Sequence, residues 1–90
     1  MALLIKSDGE VQEVHPADGN KFSLQELQGF VGGWIEHIPT NDGRHMWLDE
    51  EGKLKSKPVN FEATLFALGI IGPDDCIVGD ALITEGHEVD

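Results

Sequence analysis

Ser23-Leu24-Gln25-Glu26-Leu27-Gln28-Gly29-Phe30-Val31-Gly32-Gly33-Trp34-Ile35-Glu36-His37-Ile38-Pro39 contains a helix signal, its stop, and the start of a strand. Leu24, Leu27, Phe30 and Val31 recur at helical spacing and make one apolar face. Ser23 is the cap: its side chain can accept from the N–H three residues on, while Glu26 reaches back to the cap's own N–H. Gly32-Gly33 ends the helix, because glycine takes the left-handed conformation without strain. The spacing thus predicts a helix over Ser23–Val31. Trp34–Ile38 then reads as a strand closed by Pro39, with His45–Asp49 as its antiparallel partner. Between them Thr40-Asn41-Asp42-Gly43-Arg44 is rich in turn residues, and the hairpin is expected to turn at Asn41–Gly43.

Working outward, Ala2–Lys6 reads as a short apolar strand and Ser7-Asp8-Gly9 as a tight turn. Glu10–His15 is a second strand, ended by Pro16, and Pro16–Lys21 is a polar loop. After the central hairpin, Glu50-Glu51-Gly52 turns the chain, and Leu54–Val59 is irregular, with Pro58 removing a donor. Asn60 caps a second helix, Asn60–Leu68, whose expected inward face is Phe61, Leu65, Phe66 and Leu68 and whose stop is Gly69. Gly72-Pro73-Asp74-Asp75 turns again. Cys76–Thr84 is expected as one long final strand, bulged at Gly79. The reading is a single small α+β domain over residues 1–85, in the order ββαββαβ. Its sheet is mostly antiparallel, its two helices share one face, and residues 86–90 form an acidic flexible tail.

The chain has 90 residues, short for a multidomain enzyme, a (β/α)₈ barrel or a full dinucleotide-binding fold. At 40% hydrophobic and 26% charged residues it has the material for a core. A chain of this size buries roughly 60–70% of its unfolded surface, which favours further burial by self-association. The net charge of −11 argues against a duplex nucleic acid partner. One cysteine, Cys76, excludes an internal disulfide framework and suits a reducing, cytoplasmic setting. At the head of an apolar run it reads as an inert buried thiol. The opening Met1–Ile5 run is cut by Lys6, and the longest apolar stretch, Leu65–Ile71, is far below the ~20 residues that span a bilayer. Neither a targeting segment nor a membrane partner is expected.

No catalytic constellation emerges. Ser7, Ser23 and Ser56 have no histidine beside them in sequence. His15, His37, His45 and His87 lack metal-ligand spacing, although His37 and His45 can approach across the hairpin. In Asp49-Glu50-Glu51-Gly52 the later positions of a calcium loop are taken by Lys53, Lys55 and Lys57, so a solvated turn is favoured. Neither Gly32-Gly33 nor Gly69–Gly72 matches a phosphate loop. The reading is a protein that is not an enzyme, with no cofactor and no metal. Charge is placed unevenly: Lys53, Lys55 and Lys57, with Arg44 upstream, are four of the six basic residues, and Pro58–Asp90 has no Lys or Arg. Such a strip can neutralise the phosphates of a small anionic ligand, and Trp34 and Trp47 lie in the hairpin beside it. The competing reading makes Trp34 core and the lysines guards of a sheet edge.

The blocks Leu24-Gln25-Glu26-Leu27-Gln28, Val31-Gly32-Gly33-Trp34-Ile35-Glu36 and Asp49-Glu50-Glu51-Gly52-Lys53 stand in order with three later ones. These are Pro58-Val59-Asn60, Ala63-Thr64 and Ile77-Val78-Gly79-Asp80-Ala81-Leu82. Together they resemble a family of small phage and mobile-element domains of unknown function, over most of residues 1–84. The resemblance implies a phage anti-defence protein acting in the host cytoplasm. By analogy of size and acidity, the chain is also similar to viral sponges that sequester cyclic nucleotide immune signals, such as anti-CBASS proteins.

Two classes of function follow. One is a sponge that binds a cyclic di- or oligonucleotide without cleaving it, in a pocket built between subunits of a homo-oligomer. Its expected ligand residues are Arg44 and Lys53, Lys55 or Lys57 on phosphates, Trp47 stacked on a base, and Asn60 on a base edge. The other is an acidic inhibitor or DNA mimic, which offers its carboxylates to a basic host defence protein.

Overall fold

The computed structural model describes residues 2–89. Five strands form one sheet: β1 (Ala2–Ile5), β2 (Val11–Val14), β3 (Ile35–Pro39), β4 (His45–Asp49) and β5 (Ala81–Thr84). Their spatial order is β2-β1-β5-β4-β3, every neighbouring pair antiparallel. Two helices, α1 (Leu24–Val31) and α2 (Phe61–Phe66), complete the order ββαββαβ. The α+β domain with an antiparallel sheet is as the sequence predicts.

The helices do not share a face. Strand side chains alternate, and the register sends Leu3, Ile5, Met46, Leu48, Ala81 and Ile83 to one side, where they meet Ala63, Ala67 and Ile77. Ala2, Leu4, Leu82 and Trp47 point to the other, against Phe22, Leu27 and Phe30. The result is three layers, with α1 on one face and α2 on the opposite one. The expectation of one helical face failed because β1, β4 and β5 are apolar on both sides, and β5 is wholly buried. Both sides therefore require cover.

Helix α1 is built as its sequence implies. Ser23 Oγ accepts from the Glu26 N–H at 3.1 Å, and Glu26 Oε1 accepts from the Ser23 N–H at 3.0 Å, a complete capping box. Gly32, at φ 84°, ends the helix. Leu27 and Val31 are buried; Phe30 is half-buried, its ring edge-on to Phe22 at 5.9 Å between centroids.

Helix α2 departs from expectation in length and orientation. It stops at Phe66, and its buried residues are small: Ala63 within it and Ala67 at its end. Phe61 is 77% exposed, Leu65 56% and Leu68 56%, so most of the predicted inward face points to solvent. The alanines face inward because Asn60, just before the helix, is drawn into the core by its own hydrogen bonds, which sets the helix's rotation.

The final strand is shorter than Cys76–Thr84. Gly79 takes φ 73° and breaks the run; upstream of it, Val78 makes an isolated bridge to Val59. Cys76 is partly exposed, not the buried thiol expected. Trp34 lies just outside β3 and is 66% exposed, so it is not core.

Residues 86–89 are not a free tail. Gly86–Glu88 form a 3₁₀ turn, and the Phe22 N–H donates to the Glu88 carbonyl at 2.7 Å. Val89 packs into the α1 layer; Asp90 lies outside the described residues. No helix among the described residues is long and apolar enough to cross a membrane.

Candidate functional site

The lysine strip folds into a clasp. Asp49, at the end of β4 and 3% exposed, accepts from Lys55 Nζ at 2.9 Å and Lys57 Nζ at 2.7 Å. The Glu51 N–H also donates to it at 2.9 Å. Burial pushes the Asp49 carboxyl up, but the Lys57 and Lys55 hydrogen bonds outweigh burial and hold it at about 2. Lys57 Nζ donates onward to the Val31 carbonyl at 2.7 Å, and Lys55 Nζ lies 3.4 Å from the Gly32 carbonyl. The two cations therefore sit on the carbonyl end of α1, where the helix dipole favours positive charge. Gly33 makes room for them: a Cβ there would stand 2.7 Å from Lys55 Nζ and 2.9 Å from each Asp49 carboxylate oxygen.

The other expected ligand residues are also engaged. Lys53 pairs with Asp75 on the α2 side, which raises the lysine and lowers the aspartate from their ordinary values. Arg44 forks onto Asp42 in its own turn, Nη2 at 2.7 Å and Nε at 3.1 Å from Oδ2, and lies 5.4 Å from the Phe66 ring centroid. That pairing, helped by the Thr40 hydroxyl, lowers Asp42 to about 2. Asn60 is 1% exposed. Its Oδ1 accepts from the Ala63 N–H at 3.0 Å, and its Nδ2 donates to the Ile5 carbonyl at 2.8 Å and the Gly79 carbonyl at 2.9 Å. Both amide groups are used, so Asn60 offers no edge to a base; it joins α2, β1 and the Gly79 turn. Arg44, Lys53 and the Lys55–Lys57 pair thus lie at three separate places and do not converge on one anion.

Trp47 lies elsewhere, on the α1 side of β4. Its indole N–H donates to Thr84 Oγ1 at 2.9 Å across the β4–β5 pair. His37, its partner in the β3–β4 register, packs tilted against it, ring centroids 4.7 Å apart and planes at 44°. His37 Nε2 and His45 Nδ1 are 2.8 Å apart, one hydrogen bond whose direction depends on the tautomers. Partial burial, then the neighbouring His45, lower the pKa of His37 below its ordinary value. These residues, with Gly86 and Val89 from the chain's end, line an open cavity of about 270 Å³. Its walls are aromatic and its polar groups are imidazoles. Thr84, Gly86 and Val89 carried no sequence signal for this role. The meeting of His37 with His45 was readable from the hairpin. A second hollow, about 140 Å³, lies on the α2 side among Glu36, Leu48, Lys53, Leu54, Asp75 and Cys76. Among the described residues, no three His, Cys, Asp or Glu side chains gather as a metal set.

The model of a domain of unknown function, DUF3846, matches residues 1–90. The chain belongs to that family. The match spans the clasp, the cavity and the terminal 3₁₀ turn alike, so the DUF3846 domain includes residues 86–90 and not only the sheet and helices. No curated protein and no solved structure matches the chain.

Proposed function

We propose that the protein captures a small nucleotide without cleaving it, in the cavity bounded by His37, His45 and Trp47. The observation that carries this reading is that cavity of about 270 Å³ with two imidazoles and an indole on its walls. It approaches the roughly 300–1,000 Å³ common for ligand sites. A base stacks on the Trp47 and His37 rings, an interaction worth about 1–3 kcal/mol. The phosphate takes the exposed imidazole edge, where His37 and His45 supply N–H donors and His37 gains a proton from solvent. A bound anion favours the protonated form of His37, whose pKa partial burial and then His45 hold below the ordinary value, so affinity increases as the pH falls toward that lowered pKa. Among the described residues that line the cavity, none pairs a nucleophile with a base and an oxyanion site, which supports holding over cleavage. In its fuller form this is an anti-defence sponge for a cyclic nucleotide signal.

The test is calorimetric titration at pH 6 and pH 8 with cyclic and linear mono- and dinucleotides, followed by product analysis. Binding is expected to be tighter at pH 6, to be lost in Trp47→Ala, and to survive Arg44→Ala. The absence of binding by every nucleotide at both pH values, or turnover beyond stoichiometry, would overturn the proposal.

A second reading, the acidic inhibitor of a basic host protein, is favoured by a different observation. Arg44, Lys53, Lys55 and Lys57 are each paired with an aspartate of the same chain, Lys55 and Lys57 sharing Asp49, so a partner meets carboxylates with few unpaired cations opposing them.

A further inference from the structure

Among the described residues, the large apolar side chains on the outward face of α2 are exposed. Phe61 and Leu65 stand at positions i and i+4 on the helix, and Leu68 and Ile70, in the turns that follow it, are also exposed. The patch is held in place: Asn41 Nδ2 donates to the Leu65 carbonyl at 2.8 Å and the Leu68 carbonyl at 3.3 Å, and the Asn41 N–H donates to the Phe66 carbonyl at 2.8 Å. From Phe61 to Ile71 the only ionisable side chain is Glu62, on a chain whose net charge is −11.

We infer that α2 forms the centre of a two-fold homodimer, Phe61, Leu65 and Leu68 of one protomer packing against the same residues of its partner. Charge selects a second copy over a basic protein as the occupant. Two chains this acidic repel through most of their surfaces, whereas the stretch from Phe61 to Ile71 brings one carboxylate on each, the nearby Asp42 being paired with Arg44. A basic partner would gain most at the carboxylate-rich surfaces and least here. Interface centres are likewise depleted of charge and enriched in aromatic residues. The exposed parts of Phe61, Leu65, Leu68 and Ile70 amount to roughly 400 Å², about half of the ~800 Å² per partner in a standard interface. The four residues thus make its apolar core, and the surrounding polar surface makes the rim. A two-fold axis through this patch would set each residue against the same patch of the partner. The cavity at His37 and Trp47 lies on the opposite side of the sheet and stays open in such a dimer.

The experiment is sedimentation equilibrium of the full chain from low micromolar to about 1 mM, the range in which interfaces of modest size saturate. The expected mass rises with concentration from 9.8 kDa to twice that, and rises earlier at high salt, which screens the acidic repulsion. Leu65→Asp and, separately, Phe61→Ser are expected to remain at the monomer mass with an unchanged circular dichroism spectrum. Leu24→Asp, an exposed position on α1, is expected to dimerise as the parent does. Leu65→Cys in a Cys76→Ser background is expected to form a disulfide-linked dimer under mild oxidation. A parent chain that stays monomeric at about 1 mM, or Leu65→Asp and Phe61→Ser chains that associate as tightly as the parent, would overturn the inference.

Discussion

The two helical layers bury opposite kinds of residue. On one side α1 buries Leu27 and Val31, Leu27 in a cluster with Phe22, Leu4 and Leu82, is capped at its start by Ser23, and has its carbonyl end held by Lys55 and Lys57. On the other, α2 buries alanine and leaves Phe61, Leu65 and Leu68 outside. The first layer is completed within one chain. The second is anchored chiefly by a polar residue, Asn60, and keeps its large apolar side chains for a surface. Hydrophobicity at helical spacing therefore marks a face that needs cover, and the cover can come from another molecule.

Four changes probe that contrast. The largest effect is expected from Asn60→Ala, which removes the α2 cap and leaves the Ile5 and Gly79 carbonyls unsatisfied in the interior. A lost cap costs about 1 kcal/mol and each unsatisfied buried group about 1–3 kcal/mol, so a destabilisation of about 4 kcal/mol is expected in urea unfolding. A change under about 1 kcal/mol would mean that α2 is held by packing instead.

Next, the two leucines distinguish the layers directly. Leu27→Ala is expected to cost about 3 kcal/mol, as for a buried leucine. Leu65→Ala in dilute protein is expected to cost less than about 0.5 kcal/mol, as for an exposed site. Equal costs would erase the distinction between the layers.

The last test, with an expected effect smaller than that of Leu27→Ala, concerns the clasp at the end of α1. Because the folded pKa of Asp49 is depressed to about 2 from 3.8, its contribution is fully present above the unfolded value. It is lost as the pH falls through the folded one. The linkage amounts to about 2 kcal/mol, released between roughly pH 4 and pH 2. Asp49→Asn is expected to flatten that part of the acid-stability profile and to lower stability at neutral pH. An unchanged profile would show that the lysines hold the α1 carbonyls without it.

Much of this was legible in the residues and some was not. The Ser23–Glu26 capping box, the Gly32 stop, the Asn41–Gly43 turn and the β3–β4 pairing depend on neighbours a few positions apart. Their hydrogen bonds close locally, and the pattern states them. The His37–His45 contact follows from the same hairpin. The lysines were harder. Three basic residues at alternate positions look alike in sequence, yet Lys53 pairs with Asp75 while Lys55 and Lys57 meet on Asp49 and reach back to Val31 and Gly32. Asn60 showed its capping role but not its burial, because the Ile5 and Gly79 carbonyls it satisfies come from distant parts of the chain.

The sequence by itself determined the number and order of elements, the ends of α1, the central hairpin and the strong acidity. Each is set by backbone preference or by counting charges, which requires no knowledge of the rest of the chain. Tertiary structure alone decided that the helices lie on opposite faces, that α2 turns its alanines inward, and that the basic strip becomes a clasp. It also decided that Trp47 shares its cavity with Thr84, Gly86 and Val89. The physical reason is common to all of these. A side chain's free energy depends on what occupies the space around it, and in a sheet ordered β2-β1-β5-β4-β3 that space is filled by residues remote in sequence.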